Sequence, residues 1–259
     1  MGIANRQLEE LRSQIQAGFL IDTHQLQNSV HYFHFPALEH TYTLRVPDSP
    51  DLQAFMASPA YQDALMVPVT VGAALLDIVG FSSQPNDVQF KMIVRYQSLI
   101  RAALKGKNVR KLISIGDGTI FVFDEASIST MPETLFELDH ELAGFNLDFG
   151  NDGVPEINRR IGVHIGLAYR IKDINGDENY IGTAMNLAQR VSTCVPTGED
   201  EENTPFDLRS TIYVSAEACQ AFQQNGLPPD FVLNDAGDKP IKDGQTFHVF
   251  AMQKATGAV

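Results

Sequence analysis

Residues 76–91, LDIVGFSSQPNDVQFK, place one carboxylate at the junction between an apolar run and a helix. Residues 69–76 are almost all apolar, as in a buried β-strand. Gly80 follows the carboxylate, Ser82 and Ser83 are expected to cap a helix, and Pro85 lies in its expected first turn, before apolar residues at helical spacing. A turn of this kind can offer backbone N–H groups to phosphates, and Asp77 can offer hard oxygen ligands to a cation. The stretch therefore predicts a site for a metal-bound triphosphate.

The rest of the chain alternates predicted strands with predicted helices. Gly116-Asp117-Gly118 is a tight-turn signal, which joins strands over 109–115 and 119–123 into a hairpin. Further strands are predicted over 161–171, 211–214 and 246–250, and helices over 88–103, 133–149, 182–192 and 216–224. This alternation predicts an α/β or α+β architecture with helices packed on a mixed sheet.

The N-terminal part is less regular in pattern. Residues 5–17 predict a polar amphipathic helix, and 18–67 are expected to be irregular apart from a strand over 41–46 and a short helix near 51–56. We therefore divide the chain into an N-terminal helical and irregular extension, 1–67, and a regular domain, 68–259.

Composition excludes several classes of partner. The net charge of −13 argues against a nucleic-acid or anionic membrane surface, but not against a nucleotide that brings its own cation. No apolar run reaches the roughly 18 residues of a membrane span, and the polar N-terminus does not resemble a secretory signal. Two cysteines, Cys194 and Cys219, form no CxxC pair and suit a reducing compartment. We expect a cytoplasmic protein with no membrane or nucleic-acid partner.

Two carboxylates form the first candidate constellation. If the strand over 69–76 pairs beside the hairpin, Asp77 and Asp117 can point into one site. Two carboxylates plus phosphate oxygens satisfy Mg²⁺ or Mn²⁺. Taken singly, Asp77 could instead be a helix N-cap and Asp117 a plain turn residue.

Two polar residues on one predicted helix form the second candidate constellation. Asn186 and Arg190 stand four residues apart in YIGTAMNLAQR and therefore share one helical face. An arginine there could neutralise charge that develops on a phosphate. The alternative is an ordinary polar surface of an amphipathic helix.

Together these segments resemble a known family. LLDIVGFSS, KLISIGDGTIFVF, RIGVHIGLA and YIGTAMNLAQR occur in this order within a region of similarity over roughly 69–252. They resemble the catalytic domain of class III nucleotide cyclases, the adenylate and guanylate cyclases. The resemblance implies an α+β fold, with a ferredoxin-like βαββαβ core and additional strands, for a catalytic domain at 68–259. It also implies a head-to-tail homodimer with two composite active sites.

The resemblance assigns roles to residues on the metal side of the site. It implies two divalent cations per site, Mg²⁺ or Mn²⁺, held by Asp77, Asp117 and the carbonyl of Ile78. The backbone of Gly80, Phe81 and Ser82 would hold the β- and γ-phosphates.

It also assigns residues that act from the partner chain or from late in the sequence. Asn186 would orient the ribose and Arg190 would stabilise the transition state, both acting on the site of the other protomer. Lys242, in KPIKDGQTF, would contact the triphosphate, with Lys239 as its competitor.

Two positions that read the base depart from the purine cyclases. Where adenylate cyclases usually carry Lys and guanylate cyclases Glu, this chain has Ile113, which cannot hydrogen-bond to a purine edge. The second position is Asn179, whose neutral amide can both donate and accept. In this respect the chain resembles the uridylate and cytidylate cyclases of bacterial Pycsar anti-phage defence.

The expected activity follows from this resemblance. It is a uridylate cyclase that converts UTP to cUMP and pyrophosphate, as a second messenger read by a separate effector protein. Two alternatives stay open at this point. One is an adenylate cyclase that makes cAMP for ordinary signalling. The other is a catalytically silent, nucleotide-sensing module with the cyclase fold.

Overall fold

The computed structural model describes residues 3–36, 42–149, 155–173, 175–205, 208–241 and 244–255. The chain divides into two units, which are described separately. The first unit contains the residues up to Pro68 together with Tyr169–Tyr180, and the second contains Val69–Ala168 and the chain from Ile181 onward. No helix in the described ranges is long and apolar enough to cross a membrane.

The first unit consists of a helix, a small sheet and two short helices. The elements are α1 (Ile3–Gln16), β1 (Thr23–Gln27), β2 (Val30–Phe35), β3 (Tyr42–Pro47), α2 (Pro50–Met56) and α3 (Pro59–Ala64). The three strands form an antiparallel sheet in the order β1-β2-β3. Their inward side chains share an apolar core with the helices, formed among others by Leu8, Leu11, Phe33, Leu44, Leu52 and Tyr61.

The strand expected over 41–46 is present as β3 and the short helix expected near 51–56 as α2, but β1, β2 and α3 lie where irregular structure was expected. Two features of the sequence concealed β1 and β2. The β1–β2 turn is made by Asn28 and Ser29, both with positive φ, rather than by a sequence with glycine. The buried face of β2 includes His31, which is 2% exposed and hydrogen-bonds to His24 and Asp48 at 2.8 and 3.2 Å. A buried histidine satisfied by polar neighbours breaks the apolar alternation that signals a strand.

The second unit is built on a large mixed sheet. Its first elements are β4 (Pro68–Ile78), α4 (Asn86–Ala103), β5 (Lys111–Ser114), β6 (Gly118–Asp124), α5 (Met131–Phe149) and β7 (Arg159–Lys172). The later elements are β8 (Glu178–Ile181), α6 (Thr183–Ser192), α7 (Glu199–Glu202), β9 (Ile212–Ser215), α8 (Ala216–Asn225), β10 (Phe231–Pro240) and β11 (Thr246–Lys254). The end of β7 from Tyr169 and the residues of β8 up to Tyr180 are assigned to the first unit.

The strand order confirms the predicted fold class. The sheet runs β10-β11-β9-β7-β4-β6-β5, with β8 paired to β7. It is mixed, because β7 and β9 are parallel whereas β4–β6, β5–β6, β9–β11 and β10–β11 are antiparallel. The strands β7-β4-β6-β5, with α4 and α5 as the connecting helices, form the ferredoxin-like βαββαβ core. The chain is therefore α+β, with additional strands beside that core.

One local prediction was wrong, and two strands were missed. Ser82 and Ser83 do not cap α4: residues Phe81–Ser83 form a separate 3₁₀ turn, and the helix begins at Asn86 after Pro85. Strands β8 and β10 were not predicted at all.

One face of the sheet carries the main core. Alternate residues of the central strands pack there against α4, α5 and α8; examples are Ala74, Leu76, Met92, Tyr96, Leu135, Leu138, Ile161, Val163 and Phe222. All of these are nearly inaccessible to solvent. The alternation along β4 turns Ala73, Leu75 and Asp77 to the opposite face.

Helix α6 packs on that opposite face through a glycine. Gly162 lies between the core residues Ile161 and Val163 and so points away from them. A Cβ atom on Gly162 would lie 2.0 Å from the Ser192 nitrogen and 2.2 Å from the Ala188 oxygen. The backbones of β7 and α6 are therefore in direct contact, which only glycine permits.

A Gly162→Ala substitution should lower the free energy of unfolding by about 3 kcal/mol or more, because α6 must move off the sheet. The matched control is Gly144→Ala in α5, where a Cβ meets nothing within 4 Å. That change should stabilise by about 0.5–1 kcal/mol, because alanine favours the helix. Urea denaturation of both variants measures this. Parent-like stability of Gly162→Ala would contradict the close packing.

Candidate active site

The pairing of β4 with β6 brings two carboxylates together. Asp77 is the residue before the end of β4, and its Cα partner is Gly118, the first residue of β6. Directly opposed Cα atoms are about 5 Å apart, so Asp117, which precedes Gly118, lies beside Asp77. The Asp77 side chain is 18% exposed and Asp117 is half-buried. One corner of the sheet therefore carries both predicted metal ligands.

The turn that presents Asp117 needs the glycines on both sides of it. Gly116 has a φ of +79°, which favours glycine. At Gly118, a Cβ would lie 2.9 Å from the Leu76 carbonyl oxygen, so a side chain would push β6 away from β4. The GDG turn thus keeps the two carboxylates close as well as closing the hairpin.

Arg160 completes the charged corner. Its Nε and Nη2 atoms donate hydrogen bonds of 2.8 and 2.7 Å to Oδ2 of Asp77. Arg160 belongs to β7, the strand beside β4. Arg160 opens the RIGVHIGLA segment but was not predicted as a site residue. A guanidinium in this position can also bind phosphate oxygens.

A buried hydroxyl lies beneath the carboxylates. The Tyr96 hydroxyl of α4 donates to the Leu76 carbonyl at 3.4 Å, and the side chain is 1% exposed. Burial raises the pKa of Tyr96 well above its usual range; a hydrogen bond with Thr119 opposes the shift, and the charges of Asp77 and Asp117 add to it. The Tyr96 hydroxyl therefore stays protonated, and it interacts electrostatically with both carboxylates.

The predicted phosphate-binding residues follow Asp77 directly. Ile78 is 2% exposed with its side chain in the core, so only its backbone can face the site. Gly80 has a φ of +72° and leads into the 3₁₀ turn. The Ser83 hydroxyl donates to the Gly80 carbonyl at 2.7 Å, which closes this turn. Phe81 is half-buried and Ser82 exposed.

Helix α6, which packs on β7, carries the other two predicted catalytic residues. Asn186 is exposed, and Arg190 donates from Nη1 to Oε1 of Gln245 at 3.1 Å. Gln245 immediately precedes β11, the third strand from β4. Asp77 instead contacts Arg160 on β7, so Arg190 and Asp77 of one chain have different partners. Of the two candidate lysines, Lys239 is half-buried on β10, whereas Lys242 lies outside the described residues.

The two predicted base-reading positions belong to different units. Ile113 pairs with Ile120, which pairs with Leu75, and Asp77 lies two residues further along β4. Because opposed residues share a face, Ile113 lies on the same face as Asp77. Asn179 belongs to the first unit, where its Oδ1 accepts a 2.8 Å hydrogen bond from the Tyr180 N–H.

Neither a protein-family model nor a curated protein matches this sequence. Solved structures of cyclases do match its fold. The adenylyl cyclase CyaB from P. aeruginosa is 13% identical, covers 75% of this chain and 98% of its own, and gives a TM-score of 0.59. The guanylyl cyclase Cya2 is 13% identical over 72% of this chain and 93% of its own, with a TM-score of 0.57.

The guanylate cyclase domain of RhGC from Catenaria anguillulae, solved in complex with GTP, also matches this chain in fold. It is 16% identical, covers 73% of this chain and 98% of its own, and gives a TM-score of 0.54. At such identities the similarity is one of fold. The fold of this chain is thus that of adenylyl and guanylyl cyclase domains.

The Asp77–Arg160 contact should appear as an energetic coupling. In a double-mutant cycle with Asp77→Asn and Arg160→Met, we expect about 1–2 kcal/mol, because both groups are partly buried and doubly hydrogen-bonded. The control is the exposed Glu9–Arg12 pair, also 2.7 Å apart, which should give less than about 0.5 kcal/mol. Urea denaturation of the four proteins in each cycle is the measurement. Equal coupling in the two cycles would argue against a structured corner.

Proposed function

We propose that this protein is a metal-dependent nucleotide cyclase that converts UTP to cUMP and pyrophosphate. The observation that carries the proposal is the Asp77–Gly118 pairing, which sets Asp77 and Asp117 side by side. This corner occurs in a fold shared with solved adenylyl and guanylyl cyclases. The retention of both carboxylates favours an enzyme over a silent nucleotide sensor.

The donor set at this corner fits a hard divalent cation. The described residues contain no group of three or more His, Cys, Asp or Glu side chains that could hold a metal. The protein would therefore supply Asp77, Asp117 and the Ile78 carbonyl, and substrate phosphates and water would complete the coordination. Mg²⁺ and Mn²⁺ suit this arrangement because they prefer oxygen ligands and keep several from substrate and water. Two such cations, when bound, supply activation of the ribose 3′-hydroxyl and charge neutralisation on pyrophosphate.

The chain's own residues position the triphosphate. The turn at Gly80, Phe81 and Ser82 lies directly after Asp77 and would face the β- and γ-phosphates. Arg160, which already contacts Asp77, would donate to phosphate oxygens when substrate is bound. Lys242 would add a second cationic contact to the triphosphate.

In the reaction, the ribose 3′-oxygen forms a bond to the α-phosphorus, and the bond to the pyrophosphate oxygen breaks in line with it. Asn186 would hold the ribose so that this oxygen points at the phosphorus. Arg190 would donate to the α-phosphate oxygens as negative charge develops there. The proton of the 3′-hydroxyl leaves to solvent, and pyrophosphate departs.

These roles require a second copy of the chain. Within one chain, Arg190 donates to Gln245 beside β11, whereas Asp77 lies on β4 and contacts Arg160, so the two side chains have different partners. A head-to-tail homodimer would bring Asn186 and Arg190 of one protomer to the metal corner of the other. Two-fold symmetry would then create two equivalent sites.

The choice of a pyrimidine rests on side-chain chemistry at two positions. Ile113 is half-buried, offers no hydrogen bond and would narrow the pocket. The Asn179 amide can pair with a base carbonyl and an adjacent N–H together. On the same grounds we propose that cUMP serves as a second messenger in anti-phage defence, read by a separate effector protein.

The direct test incubates the purified protein with Mn²⁺ and ATP, GTP, CTP or UTP separately, with product identified by mass. We expect cUMP from UTP. Asp77→Asn and Asp117→Asn should each reduce the rate at least about 100-fold, because each removes a charged cation ligand. Asp87→Asn, at an exposed position in the first turn of α4, is the matched control. cAMP as the sole product would reassign the substrate, and no product would refute a cyclase.

The composite site can be tested by complementation. The Asp77→Asn and Arg190→Gln variants should each be inactive as homodimers, because each substitution removes a required residue from both composite sites. Coexpressed, they form mixed dimers with one intact site, and a random mixture should recover about a quarter of parent activity. Coexpressed Asp77→Asn and Asp117→Asn must stay inactive, because both changes fall on the same side of the site. Recovery in that control would disprove the assignment.

A further inference from the structure

A lysine lies beside Ile113 on the same face of the sheet. Lys111 pairs with Val122, and Val122 pairs with Ala73. Ile113 and Lys111 are two residues apart on β5, so their side chains point to the same side, about 7 Å apart. That side is the one that carries Asp77, opposite the core of α4 and α5.

The surroundings of Lys111 set it apart from other lysines. Lys107 pairs with Glu137, and Lys254 lies 3.7 Å from Asp230. Lys111 forms no ion pair with the acidic groups in the described part of the chain. It is nonetheless half-buried, and lysines in such positions commonly bury the methylene stem and keep the ammonium accessible.

The position of the ammonium relative to Ile113 has a chemical consequence. Isoleucine presents only hydrocarbon, so a base edge against it must find its hydrogen bonds elsewhere. The lysine stem is long enough to bring the ammonium past the end of the Ile113 side chain. An ammonium has three donors and no acceptor, so it binds carbonyl oxygens and repels amino groups.

We propose that Lys111 reads a carbonyl oxygen of the base, and so selects a keto pyrimidine over an amino pyrimidine. This inference rests on the proposed function and narrows its substrate. The two bases share a carbonyl at C2 and differ at C4, where uracil has a carbonyl and cytosine an amino group. With cytosine, the Lys111 ammonium would therefore face another hydrogen-bond donor. Lys111 is then a specificity residue that contacts the substrate, and UTP is preferred to CTP because of it.

The test compares kcat/KM for UTP and CTP. Lys111→Met should lower kcat/KM for UTP at least about tenfold and change the CTP value less than about threefold, so that selectivity is largely lost. Lys111→Arg keeps the donors and should retain most of the preference. Lys111→Glu, which accepts from an amino group, should shift selectivity toward CTP. Thermal unfolding of each variant verifies that it is folded.

The matched control is Lys91→Met. It removes the same charge from an exposed position on α4, a helix whose buried residues pack on the other face of the sheet. Its UTP-to-CTP ratio should equal the parent ratio.

The outcomes separate the two proposals. If the parent protein prefers UTP and Lys111→Met lowers kcat/KM equally for UTP and CTP, Lys111 does not read a carbonyl and only this inference fails. If the parent protein prefers CTP or ATP, this inference fails together with the UTP substrate of the proposed function. If the parent protein cyclises no nucleotide, the proposed function fails and this inference fails with it. A loss of selectivity confined to the Lys111 variants supports both.

Discussion

The site depends on the register of β4 against β6. With Asp77 opposite Gly118, the carboxylate lies beside Asp117 and opposite no other side chain. A slip of one residue would exchange the two faces of β4, turning Leu76 toward the site and Asp77 into the core. The register is therefore held by the core itself, because Ala74 and Leu76 must pack with α4 and α5.

The same register concentrates charge on a protein that is acidic overall. Two carboxylates and Arg160 share one corner, and a buried tyrosine lies beneath them. Arg160 offsets one negative charge in the absence of cations, which lets two carboxylates approach each other on a folded protein. Divalent cations and a triphosphate would bring charges of both signs to this corner. A net charge of −13 is therefore compatible with an anionic substrate.

Much of this arrangement could be predicted from the sequence, because the signals were local. The apolar run of β4 and the GDG turn predicted the strand, the hairpin and the Asp77–Asp117 pair. Arg160 was not predicted as a site residue, because a charged residue at the start of a strand is typical of a solvent-exposed position. Its partner Asp77 becomes apparent only when β7 lies beside β4. Strand β10 was not predicted, because FVLNDAGDKP has the composition of a loop. It forms an edge strand with a bulge between Asp235 and Gly237.

Under the proposed function, base selection and catalysis use different parts of the fold. The Asp77–Asp117 corner belongs to the central strands β4 and β6, whose neighbours are fully buried, so its residues are constrained by the core. Ile113 and Lys111 lie on β5, an edge strand, where substitution disturbs little packing. An adenylyl cyclase and a guanylyl cyclase match this chain almost equally well, with TM-scores of 0.59 and 0.57. One fold thus occurs in a protein named for an adenine nucleotide and in one named for a guanine nucleotide. Under the proposed function, base discrimination in this chain would come from a few side chains at the edge of the sheet, and these could change without rebuilding the Asp77–Asp117 corner.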